Sequence, residues 1–420
     1  MCGNWGLLCL AEAALQARRR GEAFPQGLEE LLCQLLVIVE MRGAQAGGVN
    51  VVLGSRGGRR NDFEALRVRA LKPKRGDLRR VLFRRLRLSF RLRALTHPVL
   101  HWPRREGSVL AQGHSRFGTS SAPAVHETHP HQWSPARQVS VWTHSPEQGW
   151  TRKMQSYSLT ITHNGDFDAW RPYRETMVDV GTLGLWLDRI LGVRHGAQGD
   201  SPKIAGVLEL LVCQGVWLHA VRLAYHLHVA CHVDQASGWM PLAAKTPSTA
   251  PDSSTFRAWA DVLDSEFAHL LQCSWTEDEH AWHPLDQDGY AAELFVQAAV
   301  DTLQSGQTAS SLKRWIPKGK VDKFVRAAAA AFRDNDLLAA GTAFLRRAEG
   351  TFGMTLTCTL WPQTVVMAAK GQPVSVGFGG VSRSWAPSLA IWSSEVASLR
   401  PLVGEQQGGV KARLDLKWLV

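Results

Sequence analysis

The chain has 420 residues, 45% of them hydrophobic, and a formal net charge of +11. That length allows one large or two to three modest domains around a substantial core. Its seven cysteines are scattered and form no C-x-x-C pair, which argues against a disulfide framework or structural zinc module and for a reducing compartment. No run approaches the ~20 apolar residues a membrane span needs. The longest, Leu28 to Met41, is broken by Glu29, Glu30 and Glu40. No charged-then-apolar leader opens the sequence. A cytoplasmic protein without a membrane partner is expected.

Residues 1–55 predict a strand (Trp5 to Leu10), a helix (Gly27 to Met41) and a second strand (Val49 to Leu53), with Gly47 and Gly48 turning the chain between them. Residues 56–108 form a basic segment. Arg79, Arg80, Arg84, Arg85, Arg87, Arg91 and Arg93 alternate with Leu78, Val81, Leu82, Leu86 and Leu88. That spacing predicts an amphipathic helix with a solvated basic face. Nucleic-acid binding is not expected, because no reading motif accompanies the charge.

From Ser108 to Asp179 short β-prone runs predict sheet: Val109–Gln112, Val139–Trp142 and Tyr157–Ile161. Residues 181–345 read as mostly helical, with helices over Val207–Val233, Ser254–Gln272, Ala291–Gln304 and Val321–Ala348. Strand patterning returns at Gly353–Leu360, Thr364–Ala369 and Val374–Phe378, with Gly371 and Pro373 in a turn. Two β-rich halves around a helical block suggest a layered α+β protein of stacked sheets with helices outside.

The chemistry begins at Met1-Cys2-Gly3-Asn4-Trp5-Gly6. Removal of Met1 would leave Cys2 with both a thiol and a free α-amine. The amine titrates near pH 8, so a nucleophile and its base would share one residue. Three later segments match it in order. They are Arg42-Gly43-Ala44-Gln45-Ala46-Gly47-Gly48, then Gly113-His114-Ser115-Arg116-Phe117-Gly118-Thr119-Ser120 followed by His129-Pro130-His131, then Thr162-His163-Asn164-Gly165-Asp166. Hydrolysis of a carboxamide needs a nucleophile, a base and donors for the developing oxyanion, and the Asn164 amide with the Gly165 N–H suits the last role. Taken alone, Asn164-Gly165 also reads as a hairpin turn.

With these motifs the chain resembles the class II glutamine amidotransferases, which are N-terminal-nucleophile hydrolases. It is most similar to the glutaminase half of glutamine–fructose-6-phosphate aminotransferases. Glu349-Gly350-Thr351-Phe352-Gly353, Ala369-Lys370-Gly371-Gln372-Pro373 and Ser393-Ser394-Glu395-Val396-Ala397 extend the match, which covers about residues 1–55, 108–190 and 345–400.

The resemblance implies a four-layer αββα sandwich over residues 1–400, interrupted by the basic insertion 56–108 and a helical insertion 195–320. Residues 401–420 are then a C-terminal tail or the start of a further domain. The implied activity is hydrolysis of L-glutamine to glutamate and ammonia, with Cys2, Asn164 and Gly165 catalytic. Arg116 and Thr119 would hold the substrate carboxylate, Asp179 its α-ammonium, and Arg42 would support the N-terminal segment. No cofactor or metal is implied. Ammonia would pass to an acceptor domain or subunit, for example one binding a sugar phosphate such as fructose-6-phosphate, and a homo-oligomer is allowed. Ser120 and Ala169 depart from the family pattern, where histidine and asparagine stand. Two alternatives are a catalytically degenerate domain acting as an interaction module and a hydrolase of other linear amides. The histidines around 126–131 and 219–232 offer no third ligand on a shared face, so a metal site is not expected.

Overall fold

The computed structural model describes residues 2–9, 26–54, 63–96, 109–117, 124–135, 138–145, 149–173, 176–191, 199–230, 251–273, 285, 289–381, 387–399 and 412–418. The chain is a mixed α/β protein built on a large antiparallel sheet. In chain order the first elements are β1 (Gly3–Cys9), α1 (Gln26–Val39), β2 (Ala46–Gly54), β3 (Phe63–Leu71), α2 (Leu78–Thr96) and β4 (Val109–Arg116). Then come β5 (His131–Trp133), the hairpin β6 (Val139–Ser145) and β7 (Gly149–Gln155), the long β8 (Leu159–Tyr173), and β9 (Thr176–Asp179). The helices follow: α3 (Val180–Leu191), α4 (Ser201–Leu211), α5 (Trp217–Ala224), α6 (Ser253–Cys273), α7 (Tyr290–Ser305), α8 (Ala309–Trp315), α9 (Val321–Asp334) and α10 (Leu337–Leu345). The chain closes with β10 (Ala348–Cys358), β11 (Val365–Val381), β12 (Pro387–Ser393), the short α11 (Val396–Leu399) and β13 (Ala412–Trp418).

Eleven strands share one hydrogen-bonded sheet in the order β3-β2-β4-β1-β12-β11-β10-β8-β5, with β13 also on β11 and β9 on β8. The two β-rich ends of the sequence are therefore interleaved: β1 lies beside β12, and β8 beside β10. The strands expected at 364–369 and 374–378 are one strand, β11. Its first part pairs with β10 and its second with β12. Between them Gly371 sits at φ +75°, a region that disfavours other residues. The sheet folds over this strand, so that β1 approaches β8 and β10, and β4 approaches β8. The space between the two halves is polar. Asn4, Asn50, Gln112, His114, Thr160, Thr162, Thr355 and Thr357 are all buried, and the Asn50 amide donates to Thr160 Oγ1 at 3.4 Å.

Each outer face is apolar and covered. α1 lies on β1 and β4, α2 on β2 and β3, α4 on β8 and β5, and α10 on β10. One core gathers Trp5, Leu7, Leu32, Leu36, Val49 and Val51 with Leu78, Leu82, Phe83, Leu86 and Phe90 of α2. The basic segment is thus structural. Residues 63–71 supply the sheet's edge strand, and α2 buries one face while leaving arginines outside, as its spacing predicts. A second core runs from Leu159, Ile161 and Phe167 of β8 through α4 into α5, α6, α7 and α9. The helical block therefore shares a core with the sheet. Residues 412–418, read as a tail, form β13.

Two long helices of the sequence reading are broken. The run 207–233 stops at Leu211 and restarts at Trp217, because Gly215 turns at φ +75° and its carbonyl accepts the Trp142 N–H at 2.8 Å. A Cβ at Gly215 would lie 2.3 Å from Trp142 O. The run 321–348 stops before Asp336, whose carboxylate caps α10 by accepting the Ala339 N–H at 2.7 Å.

Candidate active site

Cys2 immediately precedes β1, whose Gly3 pairs with Ser115 on β4. The thiol is half-buried and donates to Phe117 O at 3.5 Å. Burial pushes its pKa up. The Phe117 hydrogen bond, the chain-terminal ammonium and the Arg116 charge oppose the shift, and the Asp200 charge adds to it. A thiol held protonated in this way needs a base before it can attack.

β1 is positioned by two glycine–tryptophan fits. A Cβ on Gly113 would fall 2.1 Å from the Trp5 ring, and one on Gly6 would fall 2.2 Å from the Trp392 ring. Asn4 then ties β1 to distant segments. Its N–H donates to Ser394 Oγ at 2.8 Å, its carbonyl accepts the Ser394 N–H at 2.9 Å, and its side-chain amide donates to Gly353 O. Gly353 is the register partner of Asn164 on β8. Asn4, two residues from Cys2, is therefore linked to Asn164 through Gly353.

Asn164-Gly165 is not a hairpin turn; it lies within β8. Asn164 is buried and its amide donates to Gln372 Oε1 at 3.4 Å. Gly165 has φ +127°, and a Cβ there would stand 2.0 Å from Thr351 O. Only glycine fits that backbone, which stays in register with Phe352 on β10.

Arg42 follows α1, and its Nε donates to Glu395 beside Ser394. Next to it, Gln45 N–H donates to Arg116 O at 3.1 Å. The arginine thus ties the end of α1 to the segment after β12 that also holds Asn4. Arg116 ends β4 with its guanidinium largely buried and already paired. It donates to Glu127 O at 3.1 Å and to Glu127 Oε2 at 3.3 Å. Thr119 lies outside the described residues.

Asp179 ends β9 and is exposed. Its Oδ1 accepts the Thr182 N–H at 3.0 Å, which caps α3, and hydrogen bonds from the Thr182 hydroxyl and then its N–H hold the carboxyl below the usual range. Its register partner is Ala169, five residues along β8 from Asn164, a separation of roughly 16 Å. The structure does not bring it to the thiol.

Asp200, which the sequence reading missed, does reach this region. It stands at the start of α4 but does not cap it; Oδ2 accepts the Phe167 N–H at 2.9 Å and lies 3.8 Å from His163 Nδ1. Lys203, one turn on, feels both Asp200 and Glu127. The Asp200-Ser201-Pro202 run does signal a helix start, but nothing local says that this turn returns to β8. Two cations and two carboxylates therefore accompany Cys2, with Asn164 reached through Asn4. Behind them, four imidazoles are buried together. The His114 and His129 rings lie 4.2 Å apart, His129 and His131 4.4 Å, and His129 Nδ1 accepts the His163 N–H at 3.3 Å. Burial holds all four below the ordinary histidine pKa.

Among the described residues no group of three or more His, Cys, Asp or Glu side chains is arranged to hold a metal ion; Cys231 and His232 lie outside them. No described helix is long and apolar enough to cross a membrane. No protein-family model matches this chain, and no curated protein matches it significantly.

Proposed function

We propose that the chain is a class II glutamine amidotransferase glutaminase, hydrolysing L-glutamine through a thioester on Cys2 within a four-layer αββα sandwich. The observation that carries the reading is the link from Cys2 through Asn4 and Gly353 to Asn164. It joins the Cys2, Ser394, Gly353 and Asn164 segments, far apart in sequence. Helices on both outer faces and contact between the two half-sheets support the layered architecture.

Once Met1 is removed, the Cys2 α-amine takes the thiol proton as sulfur attacks the carboxamide carbon. The new oxyanion is met by the Asn164 amide and the Gly165 N–H. Collapse expels ammonia, which carries away the proton held on the amine. Water then attacks the thioester carbon, with the amine taking its proton, and releases glutamate and the thiol. The paired charges around Cys2 suit a zwitterionic amino acid: Arg116 and Lys203 face the α-carboxylate, and Asp200 takes the α-ammonium that the motif pattern assigned to Asp179. The acceptor implied for the ammonia is a sugar phosphate such as fructose-6-phosphate on a further domain or subunit.

The Arg116–Glu127 pair favours the second reading, a degenerate interaction module, because it occupies the guanidinium that a substrate carboxylate needs. Ammonia release from glutamine by protein with Met1 removed, beside Cys2→Ala, decides between them. Release is expected only from the cysteine form; equal background from both would leave the interaction module standing.

A further inference from the structure

Residues 56–105 hold 17 lysines and arginines against three acids, a net +14 in a chain totalling +11, so the other 370 residues are slightly acidic. The basic charge of this protein is concentrated in one segment of the sequence. α2 puts its apolar face into the core through Leu82, Phe83 and Leu86, which turns the opposite face outward. On that face Arg80, Arg84, Arg87 and Arg91 fall at i, i+4, i+7 and i+11, a single row of roughly 16 Å.

Beside the row, Leu88 and Leu92 are 55% and 57% exposed and one turn apart. Beyond the leucines Arg85 donates to Arg69 O at 2.7 Å, so arginines rim the apolar pair on both sides. Arg87 pairs with Glu29 of α1 at 2.6 Å. Among the described residues Arg84 and Arg91 make no ion pair.

The choice of residues narrows the partner. Guanidinium forks match phosphates bidentately, so the partner is rich in phosphate. A nucleic acid would use the arginines and leave Leu88 and Leu92 without an apolar partner. A bilayer surface uses both: the leucines enter the boundary between headgroups and acyl chains while the arginine stems lie along it and keep their heads at the phosphates. Docking of this kind needs no spanning segment.

We propose that the outer face of α2 docks the protein on an anionic bilayer surface. Each arginine near such a surface strengthens partitioning about fivefold, and two leucines alone hold nothing firmly, so attachment is reversible and falls with salt. Sedimentation of the full chain with phosphatidylcholine vesicles, with and without phosphatidylserine, tests this, alongside titration of a fluorescent DNA duplex of arbitrary sequence. Binding is expected only to the serine-lipid vesicles. It should weaken about 25-fold in Arg84→Gln/Arg91→Gln. Leu88→Ser/Leu92→Ser should lower vesicle binding and leave any duplex binding unchanged. These side chains are exposed, and an unchanged thermal midpoint will confirm that each variant is folded. Absence of binding to the anionic vesicles overturns the proposal. So does vesicle binding indifferent to the leucines, or duplex binding tighter than vesicle binding; the last makes this a polynucleotide surface.

Discussion

Among the described residues, a cluster of charged and titratable groups around Cys2 and another under α4 and α5 differ in what can reach them. The first surrounds Cys2, with Arg116, Glu127, Asp200, Lys203 and His163. The second lies under α4 and α5. There Arg222 donates to Glu209 Oε1 at 3.0 Å, His219 stands 3.8 Å from the same oxygen, and the Tyr157 hydroxyl lies 3.2 Å from His219 Nε2. The second is the more perturbed. Burial pushes Glu209 up to about 7, lowers His219 to about 3 and drives Tyr157 well above its ordinary value. Yet the Glu209 side chain is 0% exposed, whereas Asp200 is 29% exposed and Cys2 half-buried. Shifted titration follows burial wherever it occurs; only the first cluster combines charge, a nucleophile and access. The second reads as a structural ion pair between the helices α4 and α5.

That contrast breaks first at Arg222. Arg222→Leu leaves the Glu209 carboxylate buried without its partner, which costs ~3–5 kcal/mol of stability. Urea unfolding should show the loss, while the kcat for glutamine of the folded variant stays near that of the parent. A large kcat defect in folded protein would instead make the second cluster part of the chemistry. Asn164→Ala is the converse case. On the proposed mechanism, removing this oxyanion donor should lower kcat by about 10²–10³-fold, and the midpoint of unfolding should move little by comparison. Single-turnover rates separate the two effects.

A smaller effect sharpens the comparison through pH. Glu209 is raised from 4.5 to about 7 in the fold. Its contribution to stability is complete below pH 4.5 and is lost as pH rises through 7. The buried histidines run the other way. His114, His219 and His226 are lowered to about 3, and His129, His131 and His163 also fall below 6.5. Their contribution is complete above pH 6.5 and is lost as pH falls toward their folded values. Six imidazoles outweigh one carboxyl, so the thermal midpoint should drop from pH 7 to pH 5. Glu209→Gln removes the opposing slope and makes the drop steeper, by about 1.4 kcal/mol per pH unit. An unchanged slope would mean that Glu209 titrates normally.

Much of the local structure was legible in the sequence because it follows from spacing. The α2 amphipathicity, the β1 and β4 runs and the β-rich start and end are local patterns, and the structure carries them all. What spacing could not reveal were events that need two distant segments. Gly371 bends β11 so that one strand serves both half-sheets, and Gly215 stops a helix where the β6–β7 hairpin seats its Trp142. The candidate site divides in the same way. Cys2, Arg42, Asn164 and Gly165 lie in motifs, and their neighbourhood follows from the strand order. Asp200 and Glu127 lie outside the motifs and take part through pairs 33 and 11 residues apart, and Glu395, though in a motif, meets Arg42 across 353 residues.

The most delicate comparison is between the two aspartates. Asp179 was assigned to the substrate ammonium by motif position, yet its carboxylate caps α3. Asp200 sits at the start of α4 without capping it, and its charge is felt at Cys2. Removing a cap costs ~1 kcal/mol, so Asp179→Ala should lower the thermal midpoint slightly and leave KM for glutamine alone. Asp200→Asn keeps the shape and one acceptor for the Phe167 N–H but loses the charge, so it should raise KM with little change in stability. The size of that rise is limited because Asp200 is partly solvated, and a surface-like pair contributes at most about 1 kcal/mol, roughly fivefold in KM. N-acetylglutamine, which lacks the ammonium, should not distinguish Asp200→Asn from the parent. If instead Asp179→Ala raises KM and Asp200→Asn does not, the substrate lies along β8 toward β9, and the charges around Cys2 serve only to hold the strand ends together.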